Sequence, residues 1–212
     1  MDAHQPKWKR RPAERPPQIL DAALDVFAQS GFHAAKMEDI AAGAGITKGT
    51  IYLYFDGKEE LFLAMVRHGL QEWLDMLPKI QYTPGEDPVE KGRELGRAFL
   101  DVLLTPKYVK LISVVLSEIN HLPALRRFYI EEILPKANLP LAGLLEQGQK
   151  LGLVRGVDPV IAARCLFGMY FVLVLTQEVL GAKEVTPMTP QTMADTITEV
   201  YFHGILSEEP RS

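Results

Sequence analysis

The sequence predicts an all-α protein of about nine helices, in which an N-terminal three-helix head precedes a larger helical domain. Apolar residues recur at spacings of three and four along most of the 212 residues, and the alternating pattern of strands is almost absent. Asp87-Pro88, Asp158-Pro159 and Thr189-Pro190 each combine an N-cap residue with a proline at the first helical position. Gly43 and Gly45 interrupt a short apolar helix and permit a sharp reversal of the chain.

The chain begins with a basic segment, residues 1–15, that carries Lys7, Lys9 and Arg10. No apolar run follows it, so it does not resemble a secretory signal. Its charge suits an arm that contacts phosphate or the minor groove, and a disordered, solubilising extension is the alternative. The single Cys165 and the lack of an apolar run of about twenty residues predict a cytoplasmic protein without disulfides or a membrane span.

The segment from Met37 to Glu60 is expected to form two short helices joined by the glycine turn, with another helix directly after them. Thr47 has the properties of an N-cap for the second helix. Ile51 and Phe55 lie four residues apart and are expected to face the first helix. This arrangement is typical of a helix-turn-helix, which reads DNA with its second helix.

On its other face, the second helix carries hydroxyl, cationic and glycine positions that suit a DNA groove. Lys48 can bind guanine acceptors or phosphate, and Gly49 permits close approach to the DNA. Lys58 opens the following helix, where free N–H groups also favour a phosphate. The predicted DNA contacts are Thr47, Lys48, Gly49, Thr50, Tyr52, Tyr54, Lys58 and Lys36.

From about Gln18 to Leu61, the chain resembles the TetR/AcrR family of one-component bacterial transcription regulators. The matching first-helix residues are Ile19, Ala22, Ala23, Phe27, Gly31 and Phe32. The pattern MxDIAxxAGITKGTIYxYF follows from Met37, and KEEL follows from Lys58. The resemblance implies that Thr47, Lys48, Thr50, Tyr52, Tyr54 and Lys58 contact DNA. It also implies a repressor whose C-terminal domain binds a small molecule that shifts the fourth helix and releases the operator.

Two positions depart from the family pattern. Ala35 and Lys36 stand where the family usually has a Thr or Ser, so the first helix of the motif lacks a capping hydroxyl, at a cost of about 0.5 to 2 kcal/mol. Asp56-Gly57 replaces a Pro-Ser or similar pair before Lys58. Either residue can still cap the helix there, with help from Glu60.

The predicted domains are the arm at 1–15, the DNA-binding domain at 16–57, an effector-binding and dimerisation domain at 58–206 and a tail at 207–212. A helix at 58–77 connects the two folded domains and is stopped by Pro78. Five further helices are predicted at 88–104, 106–120, 123–151 with kinks at Pro135 and Pro140, 159–180 and 190–206.

The last two helices carry more apolar surface than one small bundle covers. The run from Cys165 is apolar on all sides for about eleven residues, too short for a membrane span, so we expect it to be buried and its thiol to be inert. A homodimer through a four-helix interface would cover it, and the alternative is an intramolecular core. The predicted interface residues are Phe167, Phe171, Leu175, Ile197, Tyr201 and Ile205. A dimer would also place two heads about 34 Å apart on a near-palindromic operator.

The middle helices supply aromatic and apolar side chains that either line a ligand pocket or fill a core, with a few polar residues that could orient a ligand. They predict a weakly specified site for an apolar or aromatic effector. The candidate residues are Trp73, Phe99, Tyr108, Ile112, Leu116, His121, Phe128, Gln147, Tyr170 and Phe171.

No catalytic, metal or cofactor site is predicted. The glycine turn lacks the order of a phosphate-binding loop. Glu118 and His121 form a Glu-x-x-His pair like that of di-iron bundles, but the second pair and the further glutamates are missing. The sequence therefore predicts a DNA-binding regulator without a cofactor. A helical ligand carrier or a di-iron-type enzyme is the competing class.

Overall fold

The computed structural model describes residues 15–76 and 85–205, and within these ranges the chain forms nine helices. The first four are α1 (Arg15–Ala34), α2 (Met37–Gly43), α3 (Lys48–Ile51) and α4 (Lys58–Met76). They are followed by α5 (Pro88–Leu103) and α6 (Pro106–Glu118), then by α7, in which a π-helical turn, Tyr129–Ile133, joins Pro123–Phe128 to Leu134–Lys150. Helix α8 comprises Pro159–Val174 and a π-helical turn, Leu175–Val179; a 3₁₀ turn, Ala182–Glu184, precedes α9 (Pro190–Ile205).

The all-α prediction is confirmed, and the helix boundaries agree with the sequence to within about two residues. Most of the predicted arm, the segment 77–84 and the C-terminal tail lie outside the described residues.

The three predicted N-caps explain why the starts of these helices were predicted accurately. The Asp87 carboxylate accepts from the N–H of Val89, and that of Asp158 accepts from the N–H of Ile161, both at 2.9 Å. The Thr189 hydroxyl accepts from the N–H of Thr192 at 3.1 Å. Each cap satisfies a backbone donor that the helix leaves free, while the following proline has no donor to satisfy.

The π-helical turn in α7 lies just before Pro135. Because proline has no N–H, it cannot donate to the carbonyl four residues earlier, which disturbs the regular ladder at that point. The second predicted kink, at Pro140, lies within the α-helical segment Leu134–Lys150.

The chain divides into two compact units, Met1–His68 and Gly69–Ser212. The boundary therefore falls within α4, whereas the sequence placed the whole of this helix after the head. The aromatic core of the head explains the difference, because the ring of Phe62 on α4 lies 5.1 Å from that of Phe27 and 5.2 Å from that of Phe32. The start of α4 is thus part of the head.

In the second unit, α8 packs between α7 and α9, and α9 also packs against α5. Ala142, Leu145, Ala162 and Ala163 are buried where α7 meets α8. On the α5 side, Asp195 of α9 binds Arg97 at 2.8 Å.

The structure corrects two predictions about α8. The helix is not buried all round, because Ile161 is 60% exposed and Val172 is 53% exposed, and Cys165 is also exposed. Nor is its apolar stretch too short for a membrane span: the helix has the predicted length, and Pro159–Val179 spans 21 residues with a mean hydropathy of 1.9, long and apolar enough to cross a membrane by length and composition alone. The sequence estimate of apolar length counted only the uninterrupted run and left out the rest of the predicted helix.

Candidate nucleic-acid interface and ligand cavity

Helix α3 is only four residues long, and its start is fixed by Thr47 as predicted. The Thr47 hydroxyl accepts from the N–H of Thr50 at 3.3 Å and lies 2.9 Å from the Thr50 hydroxyl. Gly45, with φ of 64°, makes the reversal that precedes it. Ile51 is fully buried and Phe55 is buried, so they anchor α3 to the head.

The opposite face of α3 is open to solvent. Thr47, Lys48 and Gly49 are exposed, and Thr50 is half-buried. Tyr52 is 45% exposed and Tyr54 is 38% exposed just after the helix. The predicted contact residues of this segment are therefore all at least partly exposed, and we call the exposed positions around α3 the reading surface (Thr47 to Thr50 and Tyr52 to Tyr54).

Leu53 is part of the reading surface and was missed by the sequence analysis. It is 81% exposed, the highest value for a large apolar side chain among the head residues that the structure describes. Only hydroxyl, cationic and glycine positions were predicted to contact DNA on this face. An exposed apolar side chain at a DNA groove can contact the methyl group of thymine.

Lys48 is held by a carboxylate of the preceding helix. Its Nζ donates to Glu38 Oε1 at 2.7 Å and lies 5.9 Å from the centre of the Tyr52 ring. The hydrogen bond from Lys48 is the main reason that the pKa of Glu38 is lowered, and the same bond raises the pKa of Lys48. Both groups are therefore charged near neutral pH.

Lys58 has a structural role that the sequence did not predict. Its Nζ donates to the carbonyl oxygens of His33 at 2.9 Å and Ala35 at 3.1 Å, and it lies 4.9 Å from the centre of the Phe32 ring. A cation at the last carbonyls of a helix is favourable, as is one over an aromatic face. Lys58 thus ties the end of α1 to the start of α4.

The departures from the family pattern have the predicted local effects. Lys36 occupies the N-cap of α2 and makes no side-chain capping bond, and its side chain is exposed. At the start of α4, the Glu60 carboxylate accepts from the N–H of Asp56, which replaces part of the expected cap.

The second unit contains an apolar cavity of about 170 Å³. Helices α5, α7, α8 and α9 supply its walls, and Gly92 and Gly96 let the rings of Phe202 and Tyr170 approach α5 closely. The cavity is bounded by Pro88, Lys91, Gly92, Leu95, Gly96, Phe99, Ala137, Leu141, Leu144, Leu145, Gln147, Gly148, Leu153, Val154, Ala163, Leu166, Phe167, Tyr170, Tyr201 and Phe202.

Three of the ten predicted ligand residues, Phe99, Gln147 and Tyr170, line this cavity. Trp73 is buried behind it, with its ring 5.9 Å from that of Phe99. The six others do not line it: Tyr108 and Phe128 are buried, Ile112 and Phe171 are half-buried, and Leu116 and His121 are exposed.

Several predicted dimer residues lie inside the protomer. Phe167 and Tyr201 line the cavity, and the Tyr201 hydroxyl donates to the carbonyl of Ala162 at 2.9 Å. Ile197 and Ile205 are buried, while Phe171 and Leu175 are half-buried. Apolar periodicity could not say which faces of these helices the protomer itself covers.

Within the ranges 15–76 and 85–205, no group of three or more His, Cys, Asp or Glu side chains is placed to hold a metal ion. Of the predicted Glu-x-x-His pair, Glu118 is buried and His121 is exposed.

Comparison with known proteins accounts for both units. Residues 19–65 match the bacterial regulatory proteins of the tetR family, and residues 93–203 match the C-terminal domain of AefR-like transcriptional repressors. The chain is 30% identical over 198 residues to the HTH-type transcriptional repressor KstR2 of Rhodococcus jostii, covering 90% of each protein. It is 29% identical over 159 residues to the fatty acid metabolism regulator protein of Bacillus subtilis, covering 71% of this chain and 77% of the relative.

The fold also matches a crystal structure of a TetR family transcriptional regulator from Pseudomonas syringae pv. tomato. The TM-score is 0.74 at 23% identity, over 92% of this chain and 98% of the other. Members of this family are soluble transcriptional regulators and not enzymes, which excludes the carrier and di-iron alternatives. The two family matches, together with a repressor that is 30% identical over 90% of the chain, show that this protein belongs to the TetR family and is a DNA-binding transcriptional repressor.

Proposed function

We propose that the reading surface binds the major groove of a near-palindromic operator. The observation that carries this proposal is the division of α3 into a buried side, formed by Ile51, and an exposed side that presents Thr47, Lys48 and Gly49. Lys48 offers donors to guanine, and Leu53 offers a contact to a thymine methyl group. The hydroxyls of Tyr52 and Tyr54, together with Lys36 and the remaining donor of Lys58, bind phosphates.

Alanine substitutions separate the two kinds of contact. Tyr52→Ala is expected to weaken binding to every duplex by a similar factor, since phosphates carry no sequence information. Lys48→Ala is expected to weaken binding and also to relax base preference. Binding affinity is measured by fluorescence anisotropy. If Lys48→Ala loses the same affinity on operator and random duplexes, Lys48 contacts phosphate only.

The functional unit we propose is a homodimer formed through α8 and α9. Ile161, Cys165, Gly168 and Val172 recur at helical spacing along one side of α8, and Val200 on α9 is 60% exposed. A second protomer would remove this apolar stripe from water and bring two heads onto successive turns of DNA. The repressor then works in the bacterial cytoplasm, with the stripe facing protein and not lipid.

Sedimentation velocity tests the dimer. A carboxylate buried without a partner is strongly unfavourable in an apolar interface, so Val172→Glu is expected to give monomers with little operator affinity. Glu146→Gln, an exposed change on α7, serves as the control. A Val172→Glu variant that sediments as a dimer would rule out this face.

We infer that the effector is apolar or aromatic and occupies the cavity. An apolar cavity of about 150 Å³ is known to bind benzene, so the 170 Å³ here accommodates an aromatic ring or an aliphatic segment. The Bacillus subtilis relative is named a fatty acid metabolism regulator, which makes aliphatic acyl chains the first compounds to test. Binding would shift α4 and reduce operator affinity by about 5- to 150-fold, the usual range of allosteric coupling.

A thermal-shift screen followed by DNA release tests the effector site. Compounds that raise the melting temperature should also release the operator. Ala137 lines the cavity, so Ala137→Leu fills part of it and is expected to abolish both the thermal shift and the DNA release. Ala124→Leu on the same helix lies outside the cavity and should preserve both effects. Retention of both effects in Ala137→Leu would place the effector elsewhere.

A further inference from the structure

The ion pair between Glu38 and Lys48 joins the two helices of the DNA-reading motif. Glu38 lies in the first turn of α2 and Lys48 opens α3, and their charged atoms are 2.7 Å apart. Their side chains are 60% and 46% exposed, so the pair lies on the surface beside Thr47 and Gly49. The ammonium group that is best placed to bind DNA is therefore already bound to a carboxylate.

Glu38 places a negative charge at the end of α2 that would otherwise favour phosphate. In a helix-turn-helix, the first helix crosses the phosphate backbone, and a helix N-terminus normally favours phosphate. Here the N-terminus of α2 has no capping hydroxyl and instead carries Glu38 and Asp39 in its first turn. The two carboxylates oppose phosphate binding at this point.

We propose that Glu38 tunes operator affinity by competing with DNA for Lys48. On a random duplex, Lys48 stays with Glu38 and contributes no phosphate contact. On the operator, base acceptors in the correct position bind Lys48 in place of Glu38, and its ammonium group then contributes to DNA binding. This inference rests on the proposed role of Lys48 at the DNA.

The expected effects are modest but measurable. An exposed ion pair contributes little, so removing the carboxylate should raise operator affinity by about 1.4- to 5-fold and affinity for random DNA by no more than that. The salt dependence is more diagnostic, because each added phosphate contact steepens the plot of log affinity against log salt by about 0.9 on duplex DNA. If Lys48 is released onto phosphate, this steepening occurs on random DNA, while the operator slope changes little because Lys48 is already engaged there.

The experiment compares Glu38→Gln with the wild type by fluorescence anisotropy over a salt series. One duplex is the operator, selected from a random pool by the wild-type protein, and the other is a shuffled duplex of equal length. Asp39→Asn is the matched control, since it removes a neighbouring negative charge that forms no ion pair with Lys48. The expected result is a steeper slope on shuffled DNA for Glu38→Gln alone, with tighter binding to both duplexes and a ratio of operator to shuffled affinity that does not fall.

Lys48→Gln separates failure of this inference from failure of the proposed contact. If Lys48→Gln leaves binding to both duplexes unchanged, Lys48 does not contact DNA and both proposals fall. If Lys48→Gln weakens binding but Glu38→Gln behaves like Asp39→Asn on both duplexes, the competition is overturned and the contact stands. In the double variant, Glu38→Gln should give no gain over Lys48→Gln alone, and an undiminished gain would also overturn the competition.

Discussion

The close approach of Gly96 and Tyr170 at the cavity wall gives a prediction whose magnitude follows from the structure. A Cβ atom added at Gly96 would lie 1.9 Å from the Tyr170 hydroxyl oxygen and 2.9 Å from its Cζ atom. Tyr170 is only 4% exposed, and its ring lies 5.4 Å from that of Phe99. The ring cannot withdraw toward solvent, so Gly96→Ala must move it into the cavity or displace α5.

Two opposing terms set the expected change in stability. Replacing glycine by alanine within a helix stabilises the fold by up to about 1 kcal/mol. Overpacking a core costs about 1 to 3 kcal/mol. Gly143 on α7 provides the matched control, because a Cβ atom there meets nothing within 4 Å. Gly96→Ala should therefore be about 1 to 3 kcal/mol less stable than Gly143→Ala.

Urea denaturation followed by circular dichroism measures this difference. Adding Tyr170→Phe to Gly96→Ala removes the atom at 1.9 Å and should restore part of the lost stability. Effector binding, measured by thermal shift, should weaken in Gly96→Ala and not in Gly143→Ala. The reasoning is refuted if Gly96→Ala is as stable as Gly143→Ala.

Three further predictions concern the head and the buried tyrosines. Thr47→Ala should lower the stability of the head by about 0.5 to 2 kcal/mol and weaken DNA binding. Thr47→Ser keeps the capping hydroxyl and should retain most of the stability and of the DNA binding. Equal behaviour of the two variants in thermal denaturation and anisotropy would argue against the cap. Ile51→Ala should cost about 2 to 5 kcal/mol by leaving a cavity under α3, and a loss below that range in urea denaturation would mean that α3 is not anchored by this side chain. Burial raises the pKa of Tyr170 and of Tyr201, so their contribution to stability is complete below the unfolded pKa of about 10 and is lost as pH rises through the folded pKa. Above the unfolded pKa, the rise in phenolate absorbance should therefore accompany a loss of stability in urea. Ionisation of every tyrosine while the protein remains folded would contradict this prediction.

Local sequence signals predicted the helices well because they act over three or four residues. The N-cap and proline pairs at Asp87, Asp158 and Thr189 each satisfy a donor within the first turn, so the sequence contains the whole interaction. The cap at Thr47 is equally local. These features required no knowledge of tertiary structure.

Contacts between distant residues were beyond the same reasoning. Lys58 binds the carbonyl of His33, 25 residues earlier, and Lys48 binds Glu38, ten residues earlier. Neither partner has a periodic or capping signal that identifies it. Such pairs depend on how α1 lies against α4 and how α2 lies against α3.

The apolar character of α8 illustrates a different limit. A helix that is apolar on every side has no periodicity to show which face the protomer covers, so Phe167 was assigned to the dimer although it lines the cavity. The same ambiguity placed Cys165 in the core, whereas it is exposed. Only the packing of α5, α7 and α9 around α8 decides between these faces.

The account depends most directly on duplex DNA binding by the head. The decisive measurement is fluorescence anisotropy of the wild-type protein on DNA from upstream of its own gene, over a salt series and against a shuffled duplex. We expect tighter binding to the upstream DNA, with log affinity falling linearly with log salt by about 0.9 for each phosphate contacted. Absence of any salt-dependent duplex binding at low ionic strength would contradict the account.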